Sequence, residues 1–413
     1  MNVFLPANIL VPQIDEIEKW SVVACDQFTS EPEYWEDVRA YVGDAPSAVN
    51  LNLPEAELEN DQKKQIQQIN RCMEQYVSNN LFTEYRNSYI YVERTLKNGK
   101  IRKGVVGMID LESYDYERNS TSYIRATEET VIERIPPRVA IRREATLELP
   151  HILLFCDNSE KDLIEVLEND KHNMQKIYEL DLMKDGGHII GWLVRGAQAI
   201  EFEKQLQKYV KTVIDKYEIM AQKPMLFAVG DGNHSLATAK ACYEEMKKNN
   251  PDIDWSNHPA RYALVELENI HDDAQEFEPI HRIIRQVDVC KLLSEMKNTI
   301  CSDKGIPIIY YCGEEKGVLH IDEQLGELTV GVLQTFLDEY LEKNCGKIDY
   351  IHGEDVLEKL ARTNNSIGFV LPTIDKKQLF WGIVKDGVLP RKTFSMGHAQ
   401  EKRYYLEARK IRG

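Results

Sequence analysis

Helix-like and strand-like segments alternate along this chain without the strict strand-helix-strand regularity of a doubly wound sheet. Asn98-Gly99 joins two strand-like runs, Ser88 to Leu96 and Ile101 to Leu111, and Asn-Gly in that position is a strong β-hairpin signal. Residues Leu163 to Leu180 are predicted to form a polar helix, and Ala199 to Ala221 a long amphipathic helix. This order of elements favours an α+β, or irregular α/β, fold.

The length sets the expected number of domains. The chain has 413 residues, and at roughly 100 to 200 residues per domain this indicates two or three domains. We expect an N-terminal α/β region with the hairpin at 1–120, a core with the Gly230–Ser235 turn at 121–290, and a C-terminal α/β region with a basic tail at 291–413.

The composition excludes several classes of protein. Hydrophobic residues make up 43% of the chain, which is enough for buried cores and excludes disorder as the main state. Lys and Arg number 51 against 68 Asp and Glu, and the net charge of −17 opposes contact with a nucleic-acid backbone. No apolar run approaches the roughly 20 residues that cross a bilayer, and residues 1–13 lack the positive start of a secretory signal. We therefore expect a cytoplasmic, acidic protein that binds neither nucleic acid nor membrane.

Several common site motifs are missing from the sequence. The eight cysteines are scattered without a CxxC pair, so neither a zinc knuckle nor a disulfide framework is expected. The P-loop, GxGxxG, HExxH and GxSxG patterns do not occur. Candidate sites must therefore come from less familiar patterns.

The sharpest local pattern is a strand, a glycine-containing turn and a helix within Phe227 to Lys240. The glycines Gly230 and Gly232 permit a tight turn, and the N–H groups at a helix start form an anion site that phosphate commonly uses. Asp231 is placed to hold Mg²⁺ that bridges phosphates, and His234 to contact a phosphate or a substrate hydroxyl. The alternative is a purely structural turn with Asp, Asn and Ser as helix caps, and the spacing alone favours it.

Basic residues form two further patterns. Arg134, Arg138 and Arg142 lie four residues apart, so one helix would place them on a face that can grip phosphate, or on a solvated stripe paired with glutamates. Periodicity alone favours the stripe. The tail concentrates cations that either bind an anion or, as we prefer, dock on the acidic body: Arg391, Lys392, Lys402, Arg403, Arg409, Lys410 and Arg412. The pair His281-Arg282 is a further candidate, with a structural role as its alternative.

With these residues in view, the sequence resembles the domain of unknown function 1015 family of bacteria and archaea. The resemblance runs nearly end to end and rests on short motifs in a fixed order: Cys25-Asp26, Arg125 to Thr130, Arg138 with Ala145-Thr146, Gly230 to Ser235, Pro279 to Arg282, and Leu389 to Thr393. That family resembles the ParB/sulfiredoxin-like superfamily, so the resemblance implies a ParB/sulfiredoxin-like nucleotide-binding core with additional N- and C-terminal α/β elements.

The resemblance extends to free-serine kinases, which carry a Pro-His-Glu segment and an Asp-Gly-His-His-Arg turn. Carried across, Glu128 matches the base that accepts the serine hydroxyl proton, Asp231 the turn aspartate and His234 the second histidine. Three positions depart from the pattern: Thr127, Asn233 and Ser235 replace a histidine, a histidine and an arginine. Without that arginine, the turn lacks a guanidinium group that could bind the transferred phosphoryl group through two hydrogen bonds. Arg125, Arg138 and Lys392 are the candidates to replace it.

Together these observations imply a phosphotransferase that uses ADP or ATP, with Mg²⁺, on a small hydroxyl compound, free L-serine being the leading candidate. Glu128 would act as base, Asp231 would position Mg²⁺, the amides from Gly232 to Ser235 would cradle phosphates, and His234 with Arg138 would offset developing charge. One alternative is a non-catalytic nucleotide-binding regulator of the ParB type. Another is a structural protein, and no helix-turn-helix signal supports DNA binding.

Overall fold

A computed structural model describes residues 3–29, 31–57, 62–129, 135–149, 151–390 and 392–412. Arg134 and Arg391, which the sequence singled out, lie outside these ranges. Contacts divide the chain into two compact units: unit 1 comprises Met1–Ala126, Thr130–Gln275 and His398–Gly413, and unit 2 comprises Thr127–Glu129 and Glu276–Gly397. The units are discontinuous in sequence, and the three regions expected at 1–120, 121–290 and 291–413 remain a prediction of domain borders.

Unit 1 is built on an eleven-stranded mixed sheet with the order β5-β6-β11-β8-β12-β4-β3-β10-β9, to which β1 and β2 add at β4 and β3. Its strands are β1 (Phe4–Leu5), β2 (Ala7–Pro12), β3 (Phe82–Thr95), β4 (Ile101–Asp110), β5 (Tyr114–Asp115), β6 (Ile124–Ala126), β8 (Leu153–Cys156), β9 (Gln175–Leu182), β10 (Gly187–Val194), β11 (Phe227–Asp231) and β12 (Tyr262–Asn269). A separate two-stranded ladder joins β7 (Leu147–Glu148) to β20 (Arg409–Lys410).

The helices of unit 1 follow the same order along the chain. They are α1 (Pro32–Val42), α2 (Gln62–Ser78), α3 (Ile135–Arg143), α4 (Glu165–Asp170), α5 (Ala197–Ile219) and α6 (Asn233–Asn249). The long amphipathic helix predicted at Ala199 to Ala221 is confirmed as α5, whose buried face includes Phe202, Leu206 and Val213. Burying such an apolar stripe against the sheet supplies most of the stability of a helix in a protein.

The predicted hairpin is confirmed. Strands β3 and β4 pair antiparallel, with Thr95 opposite Ile101, and Gly99 at the turn has a φ of 80°. Positive φ is tolerated by glycine because it has no Cβ. Asn98 closes the turn, since its side-chain Oδ1 accepts the backbone N–H of Lys100 at 3.0 Å.

The polar helix predicted at Leu163 to Leu180 is wrong. The structure has the short helix α4 followed by β9, where Tyr178, Leu180 and Leu182 are buried and alternate with exposed residues. That alternation is the period of a strand with one buried face. Pairing with β10 along most of its length decides the conformation.

Unit 2 contains a five-stranded antiparallel sheet with the order β16-β15-β18-β14-β17, and a two-stranded ladder of β13 and β19. Its strands are β13 (Phe277–Pro279), β14 (His281–Arg285), β15 (Cys301–Cys312), β16 (Glu315–Ile321), β17 (Lys347–Ile351), β18 (Ser366–Val370) and β19 (Phe394–Met396). Its helices are α7 (Val289–Thr299), α8 (Thr329–Lys343), α9 (Glu354–Ala361) and α10 (Lys376–Asp386).

The mixture of helices with parallel and antiparallel strands confirms the predicted irregular α/β class. Of the helices that the structure describes, none combines the length and the apolar character that crossing a bilayer requires.

Candidate functional site

The predicted strand-turn-helix junction is present in unit 1. Strand β11 ends at Asp231, Gly232 adopts a left-handed conformation with a φ of 79°, and α6 begins at Asn233. The first bond of the helix ladder is donated by the N–H of Leu236 to the carbonyl of Gly232 at 3.0 Å. The amides of the preceding turn therefore point beyond the helix end, where the helix dipole favours negative charge.

Both glycines of the turn have a structural explanation. A Cβ on Gly230 would lie 2.4 Å from a ring carbon of Phe155. One on Gly232 would lie 3.0 Å from the Cα of Ile152, at a backbone angle that disfavours other residues. Packing alone accounts for these two residues, so the case for a ligand site depends on the polar atoms around them.

Two oxygens beside the helix start are buried without a hydrogen-bond partner in the described residues. Asp231 accepts the N–H of Gly232 at 2.9 Å through Oδ1, while its Oδ2 and the Oδ1 of Asn233 accept no hydrogen bond. The Nζ of Lys402 lies 3.5 Å from Asp231 Oδ2, with 14% and 17% of the two side chains exposed. Buried oxygens without partners are costly, and a bound cation or water would satisfy them.

These oxygens fit the ligand chemistry of Mg²⁺. The ion is bound in proteins by one or two carboxylates, together with waters and the phosphates of a substrate. Among the described residues, no group of three or more His, Cys, Asp and Glu side chains could hold a metal alone. Asp231 and Asn233 would therefore hold Mg²⁺ only together with a phosphate ligand.

A buried histidine that the sequence did not indicate lies next to the turn. His151 contacts Ser235 through Nε2 at 3.3 Å, and the OH of Tyr405 through Nδ1 at 2.9 Å. The Oδ2 of Asp26 is 3.6 Å from the same Nε2. The Tyr405 OH also donates to the Sγ of Cys25 at 3.0 Å. A chain of polar contacts thus connects the first turn of α6 to the Cys25-Asp26 motif.

The two motif residues of this cluster, Cys25 and Asp26, have pKa values shifted in opposite directions. Burial alone would raise the pKa of Asp26, but the nearby His151 and a hydrogen bond from Gln27 outweigh it, with Lys402 contributing, and hold that pKa well below its usual range. Burial, with the neighbouring Asp26 charge, raises the pKa of the Cys25 thiol to about 11. Asp26 is therefore an anion at neutral pH, and Cys25 remains a thiol.

The cluster opens into a cavity of about 130 Å³. Cys25, His151 and Ser235 line its polar side, and side chains such as Leu53, Met73 and Ile141 line the rest. Arg138 also lines this cavity and forms an ion pair with Glu55. Arg138 and Ser235 therefore line the same cavity.

The remaining predicted residues of unit 1 are placed differently. The guanidinium of Arg125 donates to the backbone carbonyls of Ser122 at 2.9 Å and Lys223 at 3.0 Å, which ties together two loops. Burial lowers its pKa. His234 lies in the first turn of α6, and its carbonyl accepts the hydroxyl of Thr238 at 2.7 Å.

Glu128 and Lys392 belong to unit 2, where they form a contact of their own. The two carboxylate oxygens of Glu128 accept the backbone N–H of Lys392 at 3.2 Å and of Thr393 at 3.1 Å. Glu128 also forms a parallel bridge with Leu389. These two hydrogen bonds and the bridge hold Glu128 against Leu389, Lys392 and Thr393.

The candidates His281 and Arg282 lie on β14 in the interior of unit 2. The Nδ1 of His281 accepts the N–H of Leu371 at 3.2 Å, and burial lowers the pKa of His281. Arg282 is fully buried and donates to Gln334 at 2.8 Å and to the Lys392 carbonyl at 2.9 Å. These contacts match the structural alternative considered for the pair.

Comparison with known proteins identifies the family. The family model described as "Protein of unknown function (DUF1015)" matches residues 6–410, and the chain therefore belongs to this family, as its motifs predicted. No curated protein matches the sequence significantly.

Several solved structures resemble the chain. A free serine kinase mutant in complex with ADP is 11% identical, covers 77% of this chain and 95% of its own, and has a TM-score of 0.38. SbnI with a C-terminal truncation, from Staphylococcus aureus, is 10% identical and covers 71% and 83%, with a TM-score of 0.37. A conserved hypothetical protein from Pyrococcus furiosus is 10% identical and covers 72% and 90%, with a TM-score of 0.33. A free serine kinase, to which the motifs pointed, is thus among the structures that resemble the chain.

Proposed function

We propose that the turn at the start of α6 binds the phosphates of ADP or ATP, and that the protein transfers a phosphoryl group to a small hydroxyl compound. Free L-serine is the first acceptor to test. The observation that carries this proposal is the pair of buried oxygens of Asp231 and Asn233, which lack hydrogen-bond partners in the described residues beside the helix amides. Most buried polar atoms in proteins have a hydrogen-bond partner, so two such oxygens beside a helix start favour a bound ligand over a purely structural turn.

The contacts of the turn limit which backbone amides can bind the phosphate. The N–H of Gly232 already donates to Asp231, so the N–H groups of Asn233 and Ser235 are assigned to the ligand. They point along the positive end of a 17-residue helix. This is the arrangement in which helix ends bind phosphate.

The charge around the turn explains why a divalent cation is needed. Asp26 and Asp231 contribute two carboxylates against the one ammonium of Lys402, so the group is negative when His151 is neutral. Asp231 and Asn233 would hold Mg²⁺, which would supply positive charge to offset that of the phosphates. Without it, a polyphosphate would meet repulsion.

The transfer step assigns one role to each remaining candidate. The acceptor oxygen bonds to the terminal phosphorus while the bond from that phosphorus to the bridging oxygen breaks, so AMP leaves from ADP, or ADP from ATP. The hydroxyl proton passes to a base, and the family resemblance makes Glu128 the candidate for that role. Arg138 and His234 offset the charge that develops on the phosphoryl group.

Product analysis tests the activity directly. Purified protein is incubated with Mg²⁺, ADP or ATP, and L-serine, L-threonine or L-homoserine, and mass spectrometry measures the phosphorylated amino acid. We expect phosphoserine from the wild type and from Glu129→Gln, whose side chain is exposed, and a loss of at least about a hundredfold in Glu128→Gln. Bound nucleotide without product from any acceptor would reject the transferase.

The contacts of Glu128 favour a second candidate function, a nucleotide-binding regulator without turnover. A carboxylate whose two oxygens both accept backbone amides is better suited to hold a turn than to take a proton. This function predicts nucleotide affinity that survives Glu128→Gln, with no product from either protein. Calorimetry with ADP and ATP, run beside the product assay, separates the two.

A further inference from the structure

A half-buried lysine from the C-terminal segment lies at the mouth of the turn. Its Nζ is 3.5 Å from Asp231 Oδ2, which is beyond the usual N–H···O distance. In the part of the chain that the structure describes, no oxygen accepts a hydrogen bond from this Lys402 ammonium. An ammonium group has three donors, so Lys402 retains the capacity to bind an anionic ligand.

The backbone that carries Lys402 is held by two arginines, which we call the arginine clamp. Arg94 is 3% exposed and donates to the carbonyl of Gln400 at 2.6 Å and of Lys402 at 2.6 Å. Arg102 donates to the carbonyl of Glu401 at 2.8 Å. Hydrogen bonds from charged donors are about twice as strong as neutral ones, so the clamp fixes the position of the Lys402 Cα.

The next residue fixes the segment from its other side. Arg403 is buried and forms ion pairs with Glu266 at 2.7 Å and Glu407 at 2.6 Å. Since the backbone on both sides is immobilised, only the side chain of Lys402 must be ordered when a ligand binds. Such preorganisation lowers the entropic cost of binding.

Two other cations proposed for the phosphate have partners of their own. Arg125 donates to backbone carbonyls, and Arg138 forms an ion pair with Glu55 beside the cavity. Lys402 is instead the cation that already faces the turn carboxylate.

We propose that Lys402 is the phosphate-binding cation of this site, presented to the turn by the arginine clamp. The assignment rests on the proposed nucleotide site and adds to it a ligand group from the C-terminal segment. When a nucleoside diphosphate binds, the Lys402 ammonium donates to a phosphate oxygen, and Asp231 would remain available to hold Mg²⁺. A phosphate oxygen is a suitable acceptor for the Lys402 ammonium because it carries negative charge and accepts several hydrogen bonds.

Calorimetry on the full chain tests the assignment with ADP, AMP and inorganic pyrophosphate, each with Mg²⁺. We expect Lys402→Met to weaken ADP and pyrophosphate binding at least about tenfold, and AMP binding less. Lys402→Arg should retain most of the affinity. Lys410→Met is the matched control, since Lys410 is exposed on β20, and it should bind like the wild type.

The outcomes separate this inference from the proposed function. ADP binding by the wild type that Lys402→Met leaves unchanged overturns the role of Lys402 alone. A wild type that binds none of the three probes overturns the nucleotide site and this assignment together. If Lys402→Met does not fold, acetylation of the lysines in the wild type tests the assignment. ADP with Mg²⁺ should protect Lys402 from acetylation and leave Lys410 unprotected. Equal labelling of Lys402 with and without ADP overturns the assignment.

Discussion

Replacing Asp231 by asparagine separates a ligand site from a helix cap. The substitution keeps the Oδ1 that accepts the N–H of Gly232, so the turn retains its internal hydrogen bond. It removes the negative charge opposite Lys402 and replaces Oδ2 with an amide nitrogen. Stability and ligand affinity therefore respond to different parts of the same change.

The expected loss of stability is small. The pair of Asp231 and Lys402 is long, at 3.5 Å, and both side chains are partly exposed, so its loss should cost about 1 kcal/mol. Urea unfolding followed by tryptophan fluorescence measures it, because most of the tryptophans report on unit 1: Trp20, Trp35, Trp192 and Trp255. Asp115→Asn is the matched control, because Asp115 lies in unit 1 and its Oδ1 accepts the backbone N–H of Glu117 at 3.0 Å.

The expected effect on affinity changes sign with the metal. With Mg²⁺, Asp231→Asn should weaken ADP binding at least about tenfold, or about 1.4 kcal/mol, because a carboxylate ligand of the ion is lost. In EDTA the same variant should bind ADP more tightly than the wild type, since a negative charge near the phosphates is gone. A variant that loses stability while its ADP affinity stays unchanged in both conditions would show that Asp231 only shapes the turn.

Three further expectations concern packing, reactivity and pH. Gly230→Ala would place a Cβ 2.4 Å from a phenylalanine ring carbon and should lower the free energy of unfolding in urea by about 1–3 kcal/mol. Its control is Gly331→Ala in α8, where a Cβ meets no atom within 4 Å; this variant should be neutral or stabilising. Iodoacetamide at pH 8 should label the exposed Cys290 well before Cys25, whose pKa is about 11; equal rates in mass spectrometry would contradict its burial. Glu148 is buried, but its two arginine partners outweigh the effect of burial and lower its pKa. Its ionised form therefore stabilises the fold at pH values above the ordinary glutamate pKa of about 4.3. This stabilisation is lost as the pH falls through the lowered pKa. Glu148→Gln should therefore cost about 3 kcal/mol at pH 7 and progressively less in acid, and a cost independent of pH would refute this.

Local sequence signals predicted the elements that depend on local chemistry. Asn98-Gly99 specified the hairpin because its turn needs a positive φ at glycine, and the structure has 80° there. The two glycines beside Asp231 specified the strand-turn-helix junction in the same way, and the N-cap of α6 is Gly232, without a side-chain cap. Strand β9 was missed because its polar residues resemble a solvated helix, and its pairing with β10 is a tertiary effect.

The polar neighbours of the turn could not be predicted because non-local pairing assembles them. Strand β11 pairs antiparallel with β8 and sets Asp231 opposite Leu153, which brings His151 to the turn, where it contacts Ser235. The N–H of Ala24 donates to the carbonyl of Arg403 at 3.0 Å, which brings the Cys25-Asp26 motif alongside the C-terminal segment. The motif and the basic tail were visible in the sequence, but His151 carried no signal of its own.

The arginine clamp also sets an order of events during synthesis. Arg94 emerges from the ribosome 307 residues before Glu401, which at about 5–20 residues per second is a delay of roughly 15–60 seconds. Through that interval unit 1 lacks the carbonyls that later receive its buried guanidinium groups, and all of Glu276–Gly397 is made meanwhile. Unit 2 thus has the opportunity to fold before unit 1 can be completed, and a nascent chain halted before residue 398 would lack the lysine that we assign to the phosphate.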